Sequence, residues 1–307
     1  MKIFDAHCDV LYKMWLDPTI SFSDSTKLHI TYEQLKATGS KVQCFAIYIP
    51  EIVRPESRFE VALEMVEIFY NKVLATSPFL KLVKSRDDIN ALKDHEIGAL
   101  LTLEGCDAVG QSLVRLQTLI RLGVSSVGLT WNNANDVADG ILELRGGGLT
   151  TFGKEVVKEL NKSMLWTDVS HLSVAGFWDV MELADHPIAS HSNAISLCNH
   201  RRNLQDEQIK TLIKKDGMIG ITFVPPFLTN QGEAKITDVL NHLDYVCSLG
   251  GEYHVGFGSD FDGITETVNG LSRYNDYQAL INELQKHYSE NQVQRFLFTN
   301  FIEHLPM

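Results

Sequence analysis

The chain has 307 residues, 44% of them hydrophobic and 21% charged, with a formal net charge of −12 at pH 7. This composition excludes a disordered chain, a collagen-like chain and a disulfide mini-scaffold. The acidic balance argues against nucleic acid or an anionic membrane as partner, because sequence-independent binding to either needs a basic face.

Eight apolar or β-branched runs recur along the chain, each ending in polar residues or glycine. They are 2–10, 41–49, 97–105, 124–132, 165–173, 187–193, 216–224 and 254–263. Such runs read as strands buried on both faces of a parallel sheet. Helical patterns separate them, at 59–75, 112–122, 153–163, 173–184, 206–215 and 236–249, and a helical tail follows at 276–287 and 291–303. Ala62, Met65, Val66 and Phe69 show the spacing of one buried helix face. Segments 11–40 and 133–148 read as loops. The run Gly146-Gly147-Gly148 lacks a phosphate-loop pattern and reads as a flexible turn. Alternating β and α over about 300 residues predicts an α/β fold, a single (β/α)₈ TIM-type barrel over 1–307 with C-terminal helices.

The start, MKIFDAHCDV, has Asp5 and Asp9 where a signal peptide needs an apolar stretch. No window reaches the roughly 18 apolar residues of a membrane span. The longest candidate, 218–228, contains Pro225 and Pro226. Five scattered cysteines without a CxxC pair suit reduced thiols. The expectation is a cytoplasmic protein with no membrane partner.

Active sites of barrels lie at the C-terminal ends of their strands. There the sequence places His7, Asp9, Glu104, His171, His191 and Asp260, with Asp262 as a further candidate carboxylate. His7 and Asp9 are two apart, so on a strand both would face inward while Cys8 faces the helices. Singly, each of these residues also reads as a hydrogen-bonded core histidine, a helix cap or a turn residue. Jointly they form a set of imidazoles and carboxylates suited to zinc or a similar divalent ion. Three histidines with two or three carboxylates exceed what one tetrahedral ion requires, which suggests two ions with Glu104 as the bridge. Paired ions activate water at neutral pH, a chemistry suited to hydrolysis. No GxSxG elbow supports a serine hydrolase. The other eight histidines, His29, His242, His254 and His304 among them, read as surface or structural residues.

Six segments carry a resemblance: DAHCD at 5–9, LEG at 103–105, TDVSH at 167–171, ASHSNA at 189–194, RRNL at 201–204 and GFGSDFDG at 256–263. Together they resemble the membrane (renal-type) dipeptidase family of zinc peptidases, over essentially the whole chain. The resemblance implies a dipeptide as substrate, tolerance of a D-residue at its C-terminal position, and two Zn²⁺ ions, with Co²⁺ or Mn²⁺ as substitutes. By position, His7 and Asp9 would hold one zinc, His171 and His191 the other, and Glu104 would bridge them. Arg202 would bind the substrate carboxylate, and Asp260 would meet the substrate amine and shuttle the proton. A homodimer is implied as well. One departure stands out. Better-known animal members have a histidine for the oxyanion where this chain has Trp131, followed by Asn132 and Asn133, either of which could help the substrate instead. The rivals are another amidohydrolase-type enzyme, such as an N-acyl amino acid deacylase or lactonase, and a non-catalytic barrel. The first rival often uses an HxH pair and a modified lysine bridge, where this chain has HxD and Glu104.

Overall fold

The computed structural model describes residues 1–306. Nine strands form one parallel sheet: β1 (Ile3–Asp5), β2 (Ser40–Tyr48), β3 (Leu80–Leu82), β4 (Ile97–Glu104), β5 (Val124–Gly128), β6 (Trp166–Asp168), β7 (Pro187–Ala189), β8 (Met218–Ile221) and β9 (Val255–Phe257). Eight of them close into a barrel. The order β2-β1-β9-β8-β7-β6-β5-β4 joins end to end because β2 also pairs β4, from Val42–Gly98 to Tyr48–Glu104. Each of the eight sequence runs holds one barrel strand. The ninth strand, β3, lies outside the ring. It pairs the first half of β4, Ile97 to Ala99, and β5 takes the second half from Leu101. Three residues are too few to show a period-2 pattern, so the sequence gives no sign of it.

The helices lie within one or two residues of their expected limits, as at Leu113–Arg121, Thr151–Lys162, Val174–Leu183 and Asp206–Lys214. Two expectations need correcting. Segment 11–40 is not simply a loop, since it holds most of helix Val10–Leu16 and all of helix Tyr32–Thr38. The second has a capping box from Thr31 and Gln34, a readable T-x-x-Q signal. The Gly146-Gly147-Gly148 turn is not loose either. The Gly147 N–H donates to Asp139, Ser173 Oγ donates to the Gly147 carbonyl at 2.6 Å, and the Leu149 N–H donates to Asp179. A Cβ at Gly148 would overlap Asp179. No helix among the described residues is long and apolar enough to cross a membrane.

Strand residues alternate between two apolar clusters, as the pleat requires. Ile3, Phe45, Ile47, Leu101, Leu103, Val127, Ile219 and Ile221 pack outward against the helices. Phe4, Val42, Cys44, Leu100, Trp166, Ile188 and Met218 fill the barrel with Phe301 from the C-terminal helix Asn300–His304. Phe4 and Phe301 stack at 4.7 Å, and Trp166 meets both edge-on at 6.4 Å. This aromatic plug forms the floor. Above it the inward positions turn polar, with Thr102, Ser126, Asp168 and Ser190 around a small void below His7 and Glu104. The chain therefore puts hydrogen-bonding groups under the mouth and apolar ones at the floor. Removing the fully buried Phe301 ring leaves a cavity that fixed strands cannot close. We expect Phe301→Ala to lower unfolding free energy by about 3–5 kcal/mol in urea titration, with the slope m unchanged. A loss below about 1 kcal/mol would show that the floor does not depend on it.

Candidate metal centre

The six candidate residues reach one place by different routes. Strand β1 ends at Asp5, so the pleat does not align His7 with Asp9 as the sequence suggested. Instead the chain leaves the strand and turns into helix Val10–Leu16. Asp9 is the N-cap of that helix, yet its side chain caps no backbone N–H, which leaves the carboxylate free to face His7. His7 Nε2 lies 3.4 Å from Asp9 Oδ2. Glu104 is the last residue of β4 and points inward. His191 follows β7 by two residues. His171 and Asp260 sit in loops after β6 and β9 with φ of +67° and +63°. Such left-handed residues are sparsely populated without glycine and cost about 1–3 kcal/mol each, so their place at one site is itself a functional signal.

Glu104 is central. Its Oε1 lies 3.0 Å from His171 Nε2 and 3.6 Å from His191 Nε2, and its Oε2 lies 3.6 Å from His7 Nε2. The side chains of His7, Asp9 and Asp260 form a second group with ligand atoms within 4.8 Å of one another. Gly263 makes room for it, because a Cβ there would overlap Asp9.

Hydrogen bonding fixes what the imidazoles present to the centre. Ser190 Oγ donates to Asp168 Oδ2 and therefore accepts from His191 Nδ1 at 2.8 Å. His171 Nδ1 donates to Asn132 Oδ1 at 2.8 Å. Both rings then carry their proton on Nδ1 and turn a lone pair inward from Nε2. Those two Nε2 atoms are 2.8 Å apart, beside Glu104 Oε1. Three acceptors facing one point form an arrangement that a cation between them would satisfy. His7 Nε2 is also buried with no hydrogen-bond partner. The donor set thus fits divalent metal ions, with outer hydrogen bonds orienting the ligands as at known metal sites.

The charges agree. Burial lowers His171 to about 4, helped by Arg202, and holds His191 well below the usual histidine range. Both are neutral, the ligating form. At His7 burial acts the same way, but Glu104 and Asp9 outweigh it and raise the group well above its ordinary value. Burial pushes Asp260 up to about 8, with Asp9 and Glu104 adding to the effect.

The other candidates fall less simply. Asp262 is not at the centre. It accepts the His29 and Ile30 N–H groups at 2.8 and 3.1 Å and pairs with Lys13, so it ties the 29–30 loop to the loop after β9. Asn132 is engaged with His171, which makes it an orienting residue first. Arg202 is buried. One Nη2 donates to the His191 carbonyl at 3.1 Å, the guanidinium lies 5.5 Å from the centre of the Phe227 ring, and Nε has no partner. Burial lowers it to about 10, so it stays charged at neutral pH. It lines a hollow that shares His171 with the cavity beside the centre.

The cavity beside the centre, about 190 Å³, has Asp9, Glu104, His171 and Asp260 on one side. Tyr12, Tyr48, Trp131, Asn132, Val224, Phe227, Gly263 and Ile264 complete its wall. Sequence reasoning singled out only Trp131 and Asn132 from this wall. Tyr48 ends β2, a strand end with no metal-ligating residue to draw notice, and Tyr12 stands one helical turn from Asp9. Asp168 and Ser190 were missed too, although both lie inside the TDVSH and ASHSNA segments.

The model of the family described as membrane dipeptidase (peptidase family M19) matches residues 1–305. A dipeptidase of Aspergillus oryzae is 31% identical over 281 residues, 86% of this chain and 66% of that protein, so the match spans just under two thirds of that relative's length. The solved structure of dipeptidase AC, a metallo peptidase of the same family, is 28% identical, with a TM-score of 0.92 over 99% of this chain and 98% of that one. A metallo peptidase from Rhodobacter sphaeroides, solved with a phosphinate mimic of the dipeptide L-Ala-D-Ala, is 27% identical, with the same TM-score and coverage. With the whole barrel and every segment of the centre inside the matched residues, the chain belongs to the membrane dipeptidase family, peptidase family M19.

Proposed function

We propose that the protein is a two-zinc dipeptidase that hydrolyses the peptide bond of dipeptides and accepts a D-residue at their C-terminal position. The observation that carries this reading is the donor set: His171 and His191 direct lone pairs at one oxygen of Glu104, while His7 faces the other. The cavity beside it supports a small substrate. At about 190 Å³ it is below the roughly 300–1,000 Å³ of drug-sized sites. The phosphinate mimic of L-Ala-D-Ala held by the Rhodobacter sphaeroides relative supports the stereochemistry.

In this reading His7 and Asp9 would hold one ion and His171 and His191 the other, with Glu104 placed to serve both. Divalent ions bound there supply Lewis acidity and water activated at neutral pH. The protein's own groups do the rest. Arg202 binds the substrate carboxylate, since its unpartnered Nε leaves part of a planar fork free. Asp260, on the cavity wall, receives the substrate amine and carries the proton on a carboxylate oxygen to the leaving nitrogen. The aromatic wall of Tyr12, Tyr48 and Trp131 shields the bond from bulk water.

A panel of L,L, L,D and D,L dipeptides, run with zinc or cobalt beside N-acyl amino acids and a lactone, tests the activity. We expect cleavage of L,L and L,D dipeptides and none of the acyl or lactone compounds. Protein loaded with two zinc ions that cleaves no dipeptide of any stereochemistry would falsify the assignment. Arg202→Gln should lower kcat/KM by roughly 10- to 150-fold, the value of a charged hydrogen bond of about 1.5–3 kcal/mol, and unchanged kcat/KM would remove Arg202 from the site. Ser190→Ala frees the His191 ring. Zinc affinity should fall by roughly 10- to 100-fold with the circular dichroism spectrum unchanged, and equal affinity would deny the orienting role.

A further inference from the structure

A second group of metal-ligating side chains lies at the opposite end of the barrel. Asp216 stands in the turn before β8, His254 just before β9, and His304 ends the C-terminal helix Asn300–His304. The ligand atoms of the three residues lie within 4.8 Å of one another, and the two rings are 4.8 Å apart, centre to centre. From this arrangement we propose that Asp216, His254 and His304 bind one divalent transition-metal ion, zinc being the ion we test, which clamps the C-terminal helix to the barrel floor.

The hydrogen bonds carry the argument. His304 Nδ1 lies 2.7 Å from the Asn300 carbonyl, and His254 Nδ1 lies 3.1 Å from the Gly217 carbonyl. A carbonyl only accepts, so each Nδ1 carries a proton and Nε2 is the ring nitrogen left to meet a ligand. His304 Nε2 then faces Asp216 Oδ1 at 3.2 Å. With Nε2 unprotonated two acceptors meet there, a pairing that a cation between them would satisfy. A second proton on His304 would satisfy that pair alone. It would leave unexplained the third group, since His254 also offers a ligand atom within 4.8 Å of the other two. Ring nitrogens fixed by backbone carbonyls on the far side are the usual outer support of metal-binding histidines.

The backbone also serves the arrangement. Asp216 has φ of +56°, a left-handed conformation that aspartate tolerates better than most residues. Its side chain is 85% exposed, while that of His304 is 8% exposed, so an ion arrives from water and meets a preformed imidazole. Two imidazoles and one carboxylate suit zinc, with water completing the tetrahedron. The consequence is mechanical. The clamp joins positions 216, 254 and 304, and the helix it holds is the one that inserts Phe301 into the floor.

The test counts zinc on the whole chain. Natural protein, Asp216→Asn and His254→Gln are stripped with a chelator, dialysed against zinc chloride and measured by atomic absorption. Each variant should hold one zinc fewer than the natural chain, lose the thermal stabilisation that zinc adds through this site, and cleave dipeptides as before. The centre at the mouth is common to all three proteins, so the difference reads the floor site whatever the mouth contains. Equal zinc in all three proteins overturns the proposal. So does a zinc-edge anomalous map, from crystals grown in zinc, with no peak between Asp216, His254 and His304, the outcome expected of an ordinary ion pair.

Discussion

The mouth of the barrel depends on one carboxylate whose two oxygens face different histidines. Glu104 turns Oε1 to His171 and His191, and Oε2 to His7. Gathering His7, Asp9, Glu104 and Asp260 out of water is costly, on the order of several kcal/mol for each ion without compensation. The protonation pattern shows the strain. Burial raises Asp9 and Asp260, while Glu104, which burial would also raise, is held well below its ordinary value by His7 and His171. Divalent cations would relieve this crowding of acceptors, and the barrel supplies the rigidity that keeps the groups together until they bind.

Rigidity comes from beneath. Asp168 accepts the N–H groups of Ser170 and Ser190 at 2.9 and 3.0 Å and the Ser190 hydroxyl, so one carboxylate fixes the loops that carry both His171 and His191. Gly220 and Gly258 lie against the Ser190 carbonyl, where any Cβ would overlap it. Strands β7, β8 and β9 can therefore crowd together under the centre. On the other side of the mouth Asp5 plays a similar part, accepting from the Ser259 N–H and hydroxyl at 2.8 and 2.7 Å and so anchoring the loop of Asp260. Two buried aspartates outside the ligand set thus hold the mouth loops in which His171 and Asp260 are left-handed.

Much of this was legible in the sequence because barrels convert strand order into spatial convergence. Residues as distant as His7 and Asp260 could be placed together from their positions at run ends alone. What was not legible had local causes. The run 165–173 reads as one strand, but only Trp166–Asp168 is strand, since the polar residues that follow bond to side chains rather than to a neighbouring ladder. His7 and Asp9 do meet, yet through a turn into a helix and not through the pleat. Asp262 lies two residues from Asp260 and looked equivalent, but its oxygens are taken by backbone N–H groups. Residue type announces a possible ligand. Only the partners of its far atoms decide whether it is free to act.

The same rule separates the two histidine clusters. At both ends of the barrel a ring nitrogen is occupied on its outer side, and the lone pair that remains points at other acceptors. At the mouth the acceptors are buried and several carboxylates share the space, so water cannot take the place of a cation at low cost. At the floor Asp216 reaches solvent, and water can hydrate it when no ion is present. The mouth is accordingly built to hold a cation, while the floor would gain an ion without needing one. That asymmetry follows from the barrel itself, whose inward positions become polar toward the mouth and whose floor is already closed by Phe4, Trp166 and Phe301.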